Sequence, residues 1–234
     1  MMLHVRFRVC SLFHHADCNS VLDGPRAKVL GISWSEVGLG YFIACLLFVS
    51  LYPDLKANSA VAKVLIEKGE YFEATLDDSS ILFGNPGAPM RVTILSNPHC
   101  NPCARMHKRV EHLLALSGND ICVQYIFSSF NEHLEDSSRY LIAVYQKYGE
   151  QKAREVYSRW YAGEKRDYET IVKQHEKEIH APEVEREFKK HQAWREKSGL
   201  VATPTILVNG HKLPNEYTLE DLALMTKCQV GTNS

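Results

Sequence analysis

One stretch of the sequence restricts the fold more than any other, because an apolar run leads directly into a Cys-x-x-Cys pair. Residues 90–97 read MRVTILSN, and this run of β-forming side chains predicts a buried strand. Cys100 and Cys103 come next. Behind them, apolar residues recur at helical spacing, namely Met106, Val110, Leu113 and Leu114. The sequence therefore predicts that Cys100 lies where a strand ends and a helix begins.

That position suits thiol chemistry. Only the thiolate form of cysteine is a nucleophile, and the N-terminus of a helix stabilises an anion through its unpaired backbone N–H groups. Cys103 lies one turn later, near enough to resolve a mixed disulfide formed at Cys100. Between them, Asn101 and Pro102 fix the loop and are expected to tune the redox potential. His99 could add positive charge beside Cys100, so it is a third candidate for redox tuning.

Two other interpretations of the motif stay open. His107 follows Cys103 by four residues and is a weaker candidate for redox tuning. His99 or His107 could also complete the ligands of a structural zinc site, although a second Cys-x-x-Cys pair is missing. The other alternative is a non-catalytic module that binds peptides. No metal site is predicted in the preferred interpretation.

The rest of the C-terminal half has the pattern of an α/β domain. Residues 121–128 predict a second strand, and 132–197 form a long, charged and mostly helical block. Residues 205–208 predict a third strand, which Asn209-Gly210 turns into a hairpin. A last helix begins at Thr218, with an acidic residue three positions later as in a capping box.

Together these features resemble the DsbA-like branch of the thioredoxin superfamily. The resemblance covers roughly residues 80–226 and depends on the segments GNPGAP, RVTILSN, HCNPC and VATPTILVNG, with the helical block between them. It implies a thioredoxin fold with a helical insertion over residues 80–230. It also implies a thiol–disulfide oxidoreductase whose partners are protein thiols and disulfides.

The same resemblance implies a role for the segment before the third strand. It predicts that Thr203-Pro204 is a cis peptide bond packed beside the motif, where it receives the substrate backbone and keeps metals away from the thiols. The sequence departs from close relatives in its central dipeptide, which is neither Pro-His nor Gly-Pro. It also has no acidic residue between Arg91 and Cys100. Whether the chain oxidises, reduces or isomerises disulfides is therefore left open.

The N-terminal segment, residues 1–36, resembles part of the vitamin K epoxide reductase family. The matching features are Cys10, Cys18 within DCNSVL, and GISWSEVG at residues 31–38. The resemblance implies that Cys10 and Cys18 match shuttle cysteines and that Ser33 lies near a quinone pocket. The family needs more membrane helices and a second Cys-x-x-Cys pair. We therefore expect Cys10 and Cys18 to be vestigial, or simply unpaired surface thiols. We expect a bound quinone only if missing membrane helices completed the site, and otherwise no cofactor.

Residues 37–52 read VGLGYFIACLLFVSLY and carry no charge. This run predicts one membrane helix over 37–53, followed by a linker over 54–79; a buried core helix is the alternative. Basic residues slightly favour the side before the run, so we expect an anchored protein whose catalytic domain is extracytoplasmic, on the periplasmic side of the inner membrane. A compartment of that kind supports stable disulfides. A membrane redox partner is then a further expected partner.

Charge and cysteine content exclude two broad classes. The formal net charge of −1 gives no general attraction to nucleic acid, so no nucleic-acid partner is predicted. Seven cysteines at uneven spacing do not indicate a disulfide-stapled mini-domain. Cys45 and Cys122 lie in apolar runs, and we expect them to be buried without a chemical role.

Overall fold

The computed structural model describes residues 28–29 and 32–229, which divide into a unit ending at Leu55 and a larger unit beginning at Lys56. In the first unit, strand β1 (Lys28–Val29) pairs antiparallel with β2 (Ile32–Ser33). Helix α1 (Trp34–Ala57) follows directly. Cys10 and Cys18 lie outside the described residues.

Helix α1 contains the apolar run that predicted a membrane span over 37–53. Its large apolar side chains are exposed over most of the run, as Tyr41 is at 74%, and Cys45 is half-buried. The alternative of a buried core helix is therefore not supported. Within the described residues, no helix has both the length and the apolar character required to cross a membrane. The predicted membrane span is likewise not supported by this structure.

A five-stranded sheet forms the centre of the larger unit. Its strands are β3 (Leu82–Gly84), β4 (Met90–Ser96), β5 (Ile121–Phe127), β6 (Thr205–Val208) and β7 (His211–Lys212), in the spatial order β3-β5-β4-β6-β7. Strands β4 and β5 are parallel, and every other pair is antiparallel. Strand β4 lies between β5 and β6, and its residues 92–96 are all buried without alternation, as in a strand covered on both faces, which explains the continuous apolar run.

Seven further helices lie within the described residues. They are α2 (Ser59–Glu67), α3 (Asn101–Ser117), α4 (Glu135–Ala162), α5 (Tyr168–Gln174), α6 (Glu176–Ile179), α7 (Pro182–Ser198) and α8 (Leu219–Gln229). Short 3-10 turns occur at Leu76–Asp78, Glu132–Leu134 and Glu164–Asp167. The predicted helical insertion is confirmed, since α4 to α7 all lie between β5 and β6 in the chain.

The longer helices pack against each other and against the sheet. Helix α3 packs against α8 and against α4, while α7 packs against α4 and β5. Helix α4 bends at Gly149, where φ is 75° and ψ is −178°, a conformation that side chains with a Cβ rarely adopt. This bend divides α4 into two segments of different direction. Trp160 and Tyr157, both on the second segment, are fully buried.

The segment predicted as a linker, 54–79, packs as part of the larger unit. Helix α2 places Ala62 and Ile66 in the hydrophobic core. Its first turn is capped by Asn58, whose side-chain oxygen accepts the N–H groups of the next residues. The N–H of Phe72 donates to the carbonyl of Gly210 at 2.8 Å, which attaches the segment to the end of the sheet. The folded domain therefore begins well before residue 80.

The β-hairpin and the last helix match their predictions. Asn209 and Gly210 have φ values of 49° and 88°, as a tight turn between β6 and β7 requires. The hydroxyl and the N–H of Thr218 both donate to Asp221 at 2.7 Å, which caps α8. Cys122 is buried in β5, as expected.

Candidate redox site

The Cys-x-x-Cys motif joins β4 to α3, as the sequence predicts. Cys100 is the N-cap of α3 and has extended backbone angles, with φ −73° and ψ 129°. Its sulfur accepts the N–H of Cys103 at 3.4 Å, and Pro102 fills a position in the first turn where no N–H partner is needed. Cys100 therefore has the helix N-terminus that stabilises a thiolate.

The two sulfurs have different surroundings. Cys103 is fully buried, while Cys100 keeps 6% of its surface accessible. Burial raises the pKa of the Cys103 thiol to about 11, and the N–H of Asn97, 3.4 Å from Sγ, offsets only part of that rise. Cys103 is therefore a protonated thiol at neutral pH. Attack on an external disulfide is open to Cys100 and closed to Cys103.

The predicted cis peptide bond is present, and it lies beside the motif. Thr203–Pro204 is the cis bond among the described residues. The Cys100 thiol lies 3.5 Å from the carbonyl oxygen of Thr203 and donates to it. Tertiary structure has thus brought together two segments that are about a hundred residues apart in the sequence.

His99 does not carry the positive charge that its position suggested. Its Nε2 lies 2.7 Å from the hydroxyl of Ser137, and its ring meets those of Trp160 and Tyr168 edge-on. Burial, and then the charge of Lys165, lower the pKa of His99. The imidazole is therefore neutral at neutral pH. Its burial and its contacts therefore argue against His99 as a cationic neighbour of Cys100.

Lys165 is the residue that the sequence analysis missed. It lies in the 3-10 turn after α4, and its Nζ donates to Oδ1 of Asn101 at 2.8 Å and to the carbonyl of His99 at 3.5 Å. A lysine in a charged helical block gives no local signal of such a contact. Only the path of α4 brings it to the motif.

His107 is a core residue. Its Nδ1 lies 2.8 Å from the hydroxyl of Tyr125, and its Nε2 lies 3.3 Å from the hydroxyl of Ser158. Burial, with a smaller contribution from Arg154, lowers the pKa of His107 to about 4. It is therefore a neutral hydrogen-bonding group between β5 and α4. Its weaker candidacy for redox tuning is not supported.

The C-terminal part of α4 packs against the residues that lead into the motif. The indole N–H of Trp160 donates to the carbonyl of Pro98 at 3.0 Å, and the hydroxyls of Tyr161 and Ser96 lie 2.8 Å apart.

The zinc interpretation finds no support in the part of the chain that the structure describes, since no group of three or more His, Cys, Asp or Glu side chains there has the arrangement of a metal site.

Comparison with known proteins gives the same fold. The family model for thioredoxin matches residues 76–226. A search of curated sequences finds no significant match. The chain is similar to BdbD from Bacillus subtilis, with 13% identity, a TM-score of 0.54, and coverage of 69% of this chain and 98% of that one.

Two further solved structures agree. DsbA from Chlamydia trachomatis is 17% identical with a TM-score of 0.51, covering 66% of this chain and 93% of that one. The thiol-disulfide exchange protein alpha-DsbA2 from Wolbachia pipientis is 12% identical with a TM-score of 0.52, covering 76% of this chain and 97% of that one. The predicted DsbA-like fold is confirmed. None of these comparisons supports the predicted vitamin K epoxide reductase segment.

Proposed function

We propose, from the premise that this chain belongs to the thioredoxin family, that it is a dithiol–disulfide exchange enzyme acting on protein thiols and disulfides. The observation that carries the proposal is the pairing of Cys100, which keeps 6% of its surface exposed at a helix N-terminus, with a fully buried Cys103 one turn later. The solved structures that share the fold include named thiol–disulfide exchange proteins.

The reaction follows from this arrangement. The Cys100 thiolate attacks one sulfur of a substrate disulfide, so that a Cys100–substrate bond forms while the substrate S–S bond breaks, and the other substrate sulfur leaves and takes up a proton. Cys103 then loses its proton and attacks the Cys100 sulfur. The second substrate sulfur leaves as a thiol. The substrate gains two electrons and two protons. The enzyme loses two electrons and the proton of Cys103, and solvent returns the proton that Cys100 released when it ionised; the reverse sequence oxidises a substrate dithiol.

Substrate positioning is assigned to Thr203 and Pro204. The Thr203 carbonyl lies at the edge of the reactive sulfur, so a peptide that approaches Cys100 must pass beside this loop. Asn101 and Pro102 contribute to redox tuning through the geometry of the first helical turn. No cofactor takes part in these steps, because sulfur supplies both the nucleophile and the leaving group.

The test uses the full chain and a small-molecule or peptide disulfide. We expect Cys100→Ser to abolish exchange, and Cys103→Ala to accumulate a mixed disulfide at Cys100. In the reduced wild type, alkylation at neutral pH is expected to be more than about tenfold faster at Cys100 than at Cys103, because thiolate fraction and access both favour Cys100. Cys122→Ser removes a buried thiol on β5 and serves as the control.

Equal alkylation rates at Cys100 and Cys103 would contradict the assigned roles. Peptide binding that survives Cys100→Ser, together with a wild type that exchanges no disulfide, would favour the non-catalytic peptide-binding module instead.

Location stays a prediction. An extracytoplasmic catalytic domain, with a membrane redox partner, is proposed from the chemistry of the dithiol, since an oxidising compartment supports it. A membrane-impermeant thiol reagent applied to intact cells is expected to label reduced Cys100. Protection of Cys100 in intact cells and its labelling after lysis would contradict this location.

A further inference from the structure

We propose that Lys165 is the cation that stabilises the Cys100 thiolate, and that Asn101 of the motif holds it in place. The inference rests on the proposed function for its meaning, because it assigns the electrostatic control of the same redox centre. It adds a residue from the helical insertion to a site whose other members come from the sheet and from α3.

Lys165 contacts the two residues that flank Cys100 in the sequence. Its Nζ donates to the side-chain oxygen of Asn101 at 2.8 Å and to the main-chain carbonyl of His99 at 3.5 Å. These two residues are the immediate neighbours of Cys100 on either side. The ammonium group is therefore held at the N-terminus of α3, where the backbone N–H groups already favour negative charge.

The acceptors that hold Lys165 are neutral. Neither the Asn101 amide nor the His99 carbonyl cancels the ammonium charge, and no salt bridge to Lys165 is found in the portion of the chain that the structure covers. Its side chain is half-buried, so water screens its charge less than that of an exposed lysine. Burial lowers the pKa of Lys165, and the anionic forms of Cys100 and Cys103 oppose this by raising it. The same attraction, taken from the side of the sulfur, favours the thiolate.

His99 and Lys165 both lie beside the Cys-x-x-Cys motif. The charge of Lys165 lowers the pKa of His99, and the imidazole is engaged by Ser137. The other groups whose charges act on Lys165 are Cys100 and Cys103 of the motif and Arg166 in the same turn. Two acidic residues also lie in that turn, Asp167 and Glu164, and Glu164 is paired with Arg159. Among these, Lys165 is the one whose ammonium is bonded to both neighbours of Cys100.

Asn101 gains a role from this contact. Removal of its side-chain oxygen frees the ammonium group from the shorter of its two hydrogen bonds. The central dipeptide of the motif therefore acts partly through a residue more than sixty positions away in the sequence. A positioning role of this kind predicts coupling between the two sites, because the Asn101 side chain then matters only while Lys165 is present.

The experiment measures alkylation of Cys100 in the reduced full chain by peptide-resolved mass spectrometry across a range of pH. Lys165→Gln keeps a hydrogen-bond donor and removes the charge. We expect it to slow Cys100 alkylation at pH 7 by about three- to tenfold, since an opposite charge nearby favours the ionised form. Lys165→Arg keeps the charge and should stay within about twofold of the wild type.

Three controls separate charge from folding. Lys173→Gln removes an exposed charge on α5 and should change nothing. At alkaline pH, where all thiols are ionised, the Gln and Arg variants should react as fast as the wild type, because access to Cys100 is unchanged. Asn101→Ala should give part of the loss seen in Lys165→Gln, and the double variant should lose no more than Lys165→Gln alone.

A Lys165→Gln rate equal to the wild type overturns the inference, as does a Lys165→Arg rate as low as that of Lys165→Gln. Additive losses in the double variant overturn the role assigned to Asn101. Alkylation needs no substrate, so this result is independent of the exchange assay. A chain that exchanges no disulfide, yet shows the dependence on Lys165, would refute the proposed function and leave this inference standing.

Discussion

Two regions of the molecule meet at the redox centre, and they contribute to it in different ways. The sheet side supplies backbone, because β4 and α3 aim Cys100 and the loop before β6 places the Thr203 carbonyl at 3.5 Å from its sulfur. The helical insertion supplies side chains. Those that hydrogen-bond to residues 96–101 are Ser137, Trp160, Tyr161 and Lys165.

This difference teaches what each region controls. A backbone arrangement depends on the fold and can be shared by chains that are less than a fifth identical. Hydrogen bonds and charges from side chains depend on individual residues, and these can change while the fold stays. The insertion is therefore the region where chemistry can diverge. It decides that His99 is neutral and that a lysine provides the positive charge near Cys100.

The largest expected effect concerns the boundary between the two regions, where His107 bonds Tyr125 of β5 and Ser158 of α4. The pKa of His107 is lowered from 6.5 to about 4 in the folded chain. The unfolded chain therefore binds the proton more tightly. The stability this gives is complete above about pH 6.5 and is lost as the pH falls towards about 4, by about 3 kcal/mol in total.

Urea unfolding at about pH 7 and about pH 4.5 measures this loss. His107→Gln should remove most of it, and the remainder should include His191, whose pKa is also lowered by burial. His112→Gln replaces an exposed histidine on the same helix and is the matched control. An unchanged pH dependence in His107→Gln would mean that the boundary does not control acid stability.

A pair of tryptophans tests whether contact with the motif differs from burial alone. The indole N–H of Trp160 donates to Pro98 in the segment leading to Cys100, and that of Trp194 donates to Glu73, away from the motif. Trp160→Phe leaves the carbonyl of the buried Pro98 without its donor and should cost about 1–3 kcal/mol of unfolding free energy, while Trp194→Phe removes a hydrogen bond to the exposed Glu73 and should cost about 1 kcal/mol. Only Trp160→Phe should alter the ratio of Cys100 to Cys103 alkylation. The same change in that ratio with Trp194→Phe would erase the distinction.

The smallest effect is expected at Ser137. Ser137→Ala removes the hydrogen bond to His99 and should lower the unfolding free energy by about 1 kcal/mol in urea titrations. Ser158→Ala, on the same helix, removes the longer bond to His107 from an exposed position and should cost less. Cys100 alkylation should stay within about twofold of the wild type in both. If Ser137→Ala slowed Cys100 alkylation as much as Lys165→Gln does, the main electrostatic effect on Cys100 would be assigned to His99.

Much of the fold could be predicted because its signals are local. The run at 90–97 became β4, residues 205–208 became β6, and Asn209-Gly210 made the turn. In each case, burial alternates or persists along a few consecutive residues, so the pattern reports directly on the element. The segment at residues 54–79 was predicted to be a linker because the short apolar face of α2 indicates a helix but does not indicate the hydrophobic core that this helix joins.

The sequence by itself determined that Cys100 would begin a helix, that Cys103 would follow one turn later, and that Thr203–Pro204 would lie against them. Those features depend on neighbouring residues and on a recognisable family pattern. Only the tertiary structure decided the environment of the sulfurs. Ser137 lies before the bend of α4 at Gly149, while Trp160 and Lys165 follow it, so all three reach the motif through the path of this helix and the turn after it. Charge state and hydrogen bonding depend on distances across space, and distances between residues sixty positions apart are set by how helices pack.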